Sequence, residues 1–439
     1  MSNPVATLFR IPELKEKILF TLLMLLIYRL GAHVVAPGID VVALREYAGQ
    51  LQGTVFGIYD MFVGGGLSRA TVFALGIMPY ISASIMFQLL AAVFPSIERL
   101  QKEGEEGRKK LTQYTRYATV GLSIVQAYGY SVFLTGIPGA VANPGLGFTL
   151  MMILALTTGA VFVMWLGEQI TDRGIGNGMS LLIFFSIIEG FPSAIRQTAE
   201  LIGLGEVSPL ALAVVLVVML GVIAGTIAVI VASRKIPVQI PRKVMGRGRI
   251  REGQKSFIPL RLNSAGVMPI IFAQSIIVIP GTFGAFAHTQ WVKDLANWFQ
   301  YGTWPYYVSY AILIVFFTYF YTAIIFNPVD LAENLKKQGA FIPGVKPGAR
   351  TAEYIDRVLS RISLPGSIFL VLIAIIPFVI LDATGVGFLG GTLGGTGLLI
   401  VVGVGLDTVQ QMQQHLLLRH YDGFMKRGRV KFRGRQSFM

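Results

Sequence analysis

The residues best able to do chemistry in this 439-residue chain are scattered rather than clustered. The carboxylates nearest its apolar stretches, Glu168, Asp172, Glu189, Asp382 and Asp407, all fall at stretch ends, where water can reach them. Ion- and proton-coupled transporters need ionisable groups inside the membrane, so this placement weighs against that class. The four histidines, His33, His288, His415 and His420, form no metal-spaced pair or triad. Two glycine-rich runs, Gly174–Gly178 and Gly390–Gly397, lack the Lys-Ser/Thr that makes a phosphate cradle. They read instead as sites of close helix packing or bending. With no cysteine, thiol chemistry and disulfides are excluded. No enzyme, cofactor or metal site is expected. Two other kinds of physics remain: isoleucines clustered near glycine breaks, and basic loops.

The elements that must position these residues are membrane helices. Hydrophobic residues make up 54% of the chain and charged ones only 14%. Ten apolar stretches lie near 18–34, 70–94, 118–136, 148–167, 178–190, 209–232, 264–284, 305–327, 364–382 and 388–406. Most approach the roughly 20 residues that cross a bilayer core. The fifth and tenth are short unless their glycine-rich flanks enter the membrane, where irregular backbone needs the shelter of protein or a cavity. Of the 37 Lys and Arg, 32 fall in alternate loops and the two ends; the others are Arg29, Arg45, Arg69, Arg196 and Lys293. Arg29 is close enough to a stretch end to snorkel. This positive-inside asymmetry predicts both termini in the cytoplasm. The N-terminal stretch is too long, and interrupted by Arg29, for a cleaved signal peptide. Residues 3–17 alternate apolar and basic side chains as an interfacial helix does.

An internal repeat divides the spans into two fives. Gly76-Ile77-Met78-Pro79-Tyr80-Ile81-Ser82-Ala83 opens the second span, and Gly266-Val267-Met268-Pro269-Ile270-Ile271-Phe272-Ala273 opens the seventh. An odd number of spans inverts the second half, an arrangement whose functional site lies between the repeats. A kink at each Pro is the plainer explanation. Two loops are too long for connectors. Residues 234–261 alternate through Ile236, Val238 and Ile240, then turn at Gly246–Arg249, predicting a projecting hairpin. Residues 328–361 predict a helix ending near Lys337, a stiff tip at 339–348 and a second helix capped near Thr351. Both loops could dock a partner or merely set topology. Residues 59–69 are too apolar for an exposed loop and too rich in glycine and charge for a span. They suit either an ordinary outer loop or a helix folded back into a cavity.

Long runs in order carry a resemblance that spans most of the chain. They are Phe73–Ser84, Lys102–Lys110, Gln113–Tyr117, Trp165–Gly178, Ala265–Pro269, Asn334–Gly344 and Leu398–Val402. In them the chain resembles the SecY family, the channel subunits of the bacterial protein translocon. The resemblance implies an all-α polytopic protein of the cytoplasmic (inner) membrane, with ten transmembrane helices in two inverted five-helix halves around a central pore. The expected divisions are 1–190 for the N-terminal half, 191–208 for a hinge loop, 209–418 for the C-terminal half and 419–439 for a basic tail. The resemblance places a pore ring at Ile77, Ile81, Met179, Ile183, Ile271 and Ile400, where a narrow apolar waist would exclude hydrated ions by dewetting. It maps a plug onto Tyr59, Asp60, Met61, Phe62, Gly64, Gly65, Gly66, Leu67, Ser68 and Arg69. It places a lateral gate between spans 2 and 3 and spans 7 and 8, with Gln88 and Asn263 at polar gate positions.

The implied function is a passive channel that passes unfolded, signal-bearing polypeptides outward and releases apolar segments sideways into lipid. It has no cofactor; a ribosome or the SecA ATPase would dock on the basic loops through Arg247, Arg249, Arg251 and Lys346. Small SecE-type and SecG-type membrane subunits are the other implied partners. Two positions depart from the family pattern. Lys346 stands where Arg is common, which keeps charge and loses a bidentate fork, and Met179 replaces a branched aliphatic with a more adaptable side chain. Ile81 and Ile271, placed alike in the repeat, are expected on opposite sides of the constriction. The rivals are a secondary transporter, which would need a midplane polar site, and a membrane scaffold, which leaves the broken helices unexplained.

Overall fold

A computed structural model describes residues 12–50, 55–205, 208–239, 244–245, 249–250, 255–263, 265–286, 298, 302–384 and 395–427. The N-terminal half contains α1 (Pro12–Gly31), α2 (Val41–Gln50), α3 (Val55–Phe62), α4 (Met78–Val93), α5 (Pro95–Lys102), α6 (Glu105–Thr135), α7 (Leu146–Arg173) and α8 (Gly178–Gly203). The second half contains α9 (Pro209–Val231), the strands β1 (Ser233–Gln239), β2 (Val244–Met245), β3 (Arg249–Ile250) and β4 (Lys255–Arg261), then α10 (Met268–Phe286), α11 (Trp304–Ile325), α12 (Pro328–Lys337), α13 (Ala349–Thr384) and α14 (Gly395–Arg427).

The helix starts are written in local chemistry. Asn177, Ser208, Thr303 and Asn327 each turn a side-chain oxygen onto a backbone N–H of the first turn. Proline occupies an opening position of α4, α5, α9, α11 and α12, where its missing N–H costs nothing. Inside the helices, Thr and Ser hydroxyls donate to the carbonyl four residues back, as Thr119, Ser123, Thr226, Ser275 and Thr318 do. Polar side chains are thereby satisfied without a partner helix.

Among the described residues, five helical segments are long and apolar enough to cross a membrane: Leu146–Arg173, Gly178–Gly203, Pro209–Val231, Trp304–Lys337 and Ala349–Ile380. The pair α4 and α5, bent by 109°, would make a sixth. Their outer surfaces expose Leu154, Leu216, Val217, Leu220 and Ile312, an apolar face that belongs in lipid rather than water. Helix occupies part of each of the ten apolar stretches, with three shifts of boundary. The stretch at 70–94 is helical only from Met78, after a run of turns. Helix at the tenth begins at Gly395, and residues 388–394 lie outside the described residues. The fifth does not stop near 190: α8 runs on to Gly203 through Pro192. Most of the expected hinge loop at 191–208 is therefore helix, and Glu189 lies within a helix rather than at its end.

The two Met-Pro helix starts share their backbone geometry. Gly76 (φ 53°) and Gly266 (φ 62°) both take the left-handed backbone that suits glycine, and each stands two residues before a helix that opens Met-Pro. The Ile81 and Ile271 amides bond the carbonyls of Ile77 and Val267, the matched positions four residues back. Gly178 serves a different need, since a Cβ there would lie 2.0 Å from the Gly167 carbonyl oxygen. Only glycine lets α7 and α8 cross so closely, which is the packing expected of that glycine run.

The hairpin at 234–261 is present. β1 and β4 pair antiparallel from Ser233–Arg261 to Gln239–Lys255. Ile236, Val238 and Leu260 point inward, but their core is not the hairpin's own. They pack with Leu335 of α12, Ile342 of the tip, and Ile355, Val358, Leu359 and Ile362 of α13. Gln239 and Phe341 also exchange backbone hydrogen bonds of 2.9 and 3.0 Å. The two long loops are one body.

Candidate functional site

The largest buried cluster draws side chains from both halves, among them Ile77, Ile81, Ile183, Ile271 and Ile400, with Met179 packed against it. Ile400 is fully buried and Ile81 retains only 5% exposure. Ile81, Met179, Ile183 and Ile271 line one end of a cavity of about 340 Å³. Ser84, Gln88, Thr112, Arg116, Glu168, Asp172 and Asn177 line it too, beside Tyr80, Met268, Phe272 and Tyr321. The cavity is thus a funnel of mixed lining that meets aliphatic side chains from α4, α8 and α10. Ile77, which caps α4 one turn before Ile81, and Ile400 lie in the same cluster.

Arg116 and Glu168 shape the funnel wall. The guanidinium donates from Nε and Nη2 to the two carboxylate oxygens at 2.8 and 2.9 Å, a bidentate pair joining α6 to α7. The carboxylate beside it holds the Arg116 guanidinium above its usual range.

Residues 59–70 are buried or half-buried, with Phe62, Tyr59 and Met61 packed in the same cluster as these aliphatic side chains. Helix α3 packs on α8 and α10, and Phe62, Val63, Leu67 and Ala70 are buried. Val63 sits 3.1 Å from where a Cβ on Gly76 would be, one residue from Ile77. The segment holds its own fold: the Asp60 carboxylate accepts from the Leu67 and Ser68 amides at 2.8 and 3.0 Å. It is also held from outside. Tyr130 Oη donates to the Leu67 carbonyl at 2.6 Å, and Tyr28 Oη lies 2.8 Å from Ser186 Oγ and donates to the Val63 carbonyl at 3.5 Å. Arg69 bonds the carbonyls of Gly64 and Gly65 and reaches Glu189 Oε1 at 3.3 Å, while Arg29 pairs with the same carboxylate. No local pattern in the sequence marks Tyr28, Tyr130 or Glu189 as its partners. A polar tip within an apolar stretch was the one available signal.

The two residues expected at gate positions, Gln88 and Asn263, bond different partners. Gln88 donates from Nε2 to Ser84 Oγ at 3.0 Å and lines the same cavity as Tyr321 of α11. Asn263 is buried and donates from Nδ2 to the Gly266 carbonyl at 2.7 Å. Tyr321 also meets Phe272 of α10 edge-on, 5.1 Å between centroids. In the loops, Lys346 is exposed at the tip, and its carbonyl accepts from Thr351 Oγ1 at 2.9 Å. Arg249 falls in β3; Arg247 and Arg251 lie outside the described residues. No group of three metal-ligating side chains occurs among the described residues.

The family model named SecY matches residues 71–409. The chain belongs to the SecY family. It is 45% identical over 434 residues to the protein translocase subunit SecY of Aquifex aeolicus, covering 97% of this chain and all of that one. The SecY subunit of Escherichia coli K12 is 44% identical over 430 residues, 96% of each chain. The fold is similar to a solved protein-conducting channel, with TM-score 0.64 at 17% identity, covering 98% of this chain and all of that one. It is also similar to Sec61 in a canine ribosome-channel complex, with TM-score 0.60 at 16% identity over 98% of this chain.

Proposed function

We infer that this chain is a protein-conducting channel whose waist is the aliphatic cluster lining the funnel. The observation that carries the reading is the order of parts along α4. A water-accessible cavity meets Ile81, then Ile77, and then the buried segment 59–70 lying against Gly76. A hydrated ion entering the funnel would have to shed water at an aliphatic surface that offers no hydrogen bonds in return. An extended polypeptide brings its own apolar side chains and can displace the segment.

Ten membrane crossings in two inverted halves would set this waist at the repeat interface, supported by the matched starts of α4 and α10. Segment 59–70 would be the plug. Gln88 and Tyr321, on α4 and α11, would be part of the seam that opens sideways for apolar segments. The joined loops, with Lys346 at their tip and Arg249 in β3, would receive a ribosome or the SecA motor. Small SecE- and SecG-type subunits would complete the complex in the bacterial cytoplasmic membrane, with both termini cytoplasmic.

The test is translocation in proteoliposomes containing this chain and a SecE-type subunit, given SecA, ATP and a radiolabelled precursor with a signal sequence. ATP-dependent, protease-protected precursor is the expected result. No protection, with the complex intact and a working translocon beside it, would return the chain to the transporter class.

A further inference from the structure

We propose that Glu189 is the positioning residue that clasps the closing segment, through one carboxylate shared between Arg69 of that segment and Arg29 of α1. The proposal rests on the reading of residues 59–70 as the plug. Its geometry joins three elements. Glu189 Oε1 pairs with Arg29 Nη1 and lies 3.3 Å from Arg69 Nη2. The Glu189 side chain is only 10% exposed. Arg69 is itself fixed to the segment through the carbonyls of Gly64 and Gly65, so its charge reports the segment's position. Its Nη1 lies 3.3 Å from His33 Nε2. The segment approaches so closely that a Cβ on Gly64 would stand 3.2 Å from Glu189 Oε2.

The helix that carries the clasp also carries the waist. Ile183, Ser186 and Glu189 follow at intervals of three along α8: one lines the funnel, one meets Tyr28, and one holds Arg69. The closing segment is therefore registered against the same helix whose side chain it must seal. Charge makes the clasp decisive. Two guanidiniums share one carboxylate, so removing the carboxylate leaves two partly exposed cations beside each other with nothing between them to offset their charge. The closed state would then be opposed rather than merely unsupported. A chain entering the waist has to part Arg69 from Glu189, and the pair re-forms when the chain leaves. This sets a threshold that a weak signal sequence fails to pass.

The test uses the complex with its small subunits in planar bilayers and proteoliposomes, beside a variant lacking residues 59–70. In Glu189→Gln, resting ion leak should rise about tenfold, the change that ~1.4 kcal/mol of lost bias makes in a closed-to-open ratio. Precursors with impaired signal sequences should pass, which a merely structural role would not produce. Glu189→Asp should recover part of the seal. Arg69→Gln should leak likewise, and the double variant no more than either single one. Unchanged leak and unchanged signal stringency in both single variants, while the deletion leaks, would overturn the clasp and leave the plug reading standing. A deletion that does not leak would overturn both. Should Glu189→Gln fail to assemble, the Arg69→Gln result decides.

Discussion

Ile81 and Ile271 hold equivalent positions in two helices far apart in sequence and line the same cavity. Each stands three residues after the Met that opens its helix, behind a left-handed glycine, and each amide bonds the residue four before it. Both are buried, at 5% and 2% exposure. Replacing either by Gly removes four carbons, about 3 kcal/mol of apolar burial, plus about 1 kcal/mol of helix propensity. The double variant should raise ion leak through reconstituted channels. Unchanged conductance from an intact complex would take these two residues out of the constriction.

Gln88 of α4 and Tyr321 of α11 line the same cavity. If the seam opens between these helices, a hydrogen bond formed across it is lost on opening. Such a bond between membrane helices contributes about 0.6 kcal/mol, at most about 1.7. Tyr321→Phe and Gln88→Leu should each ease release of a marginally apolar segment into lipid, and the pair should couple. The check is a double-mutant cycle on the fraction of such a segment that partitions into the bilayer. Strict additivity would mean that the bond does not latch the seam.

What the sequence made legible follows from the reach of its signals. The Met-Pro openings, the hairpin and the helix ending at Lys337 were readable because capping, proline and period-two alternation act over a few residues. The apolar stretches marked the helices for the same reason. Their ends were less legible: α8 runs past 190 because its tail, 191–203, is helical yet less apolar than a span. The partners of residues 59–70 were not legible at all. Tyr28, Tyr130 and Glu189 come from three other helices, and no local pattern assigns a tyrosine tip or a carboxylate to a distant carbonyl or guanidinium. The shared core of the two loops is hidden likewise, since Leu260 and Ile355 each look like one more apolar residue in a local period.

That shared core carries its own consequence. Leu260 of the hairpin and Ile355 of α13 are both fully buried in it. Truncating either to Ala should cost about 2–5 kcal/mol locally and loosen both loops together. Hydrogen exchange at the Gln239 and Phe341 amides, which bond each other's carbonyls, should accelerate in each variant. Ribosome affinity, measured against salt, should fall alike in both. If exchange quickened on the mutated loop alone, the two loops would be independent docking elements.

Segment 59–70, proposed to close the channel, can be locked where it lies. An ideal Cβ on Gly64 would be 3.5 Å from Ser186 Cβ, at the lower edge of the spacing that a disulfide spans, about 3.5–4.5 Å. The chain has no cysteine of its own, so Gly64→Cys with Ser186→Cys introduces its sole thiol pair. Gly64 has φ 69°, and a side chain there costs roughly 1–2 kcal/mol; the reduced pair should therefore leak slightly more than the parent. Oxidation should abolish ion leak and precursor transport together, and a reductant should restore both. If the oxidised channel still carried precursor at the parental rate, the segment would not need to leave Ser186 for a chain to pass.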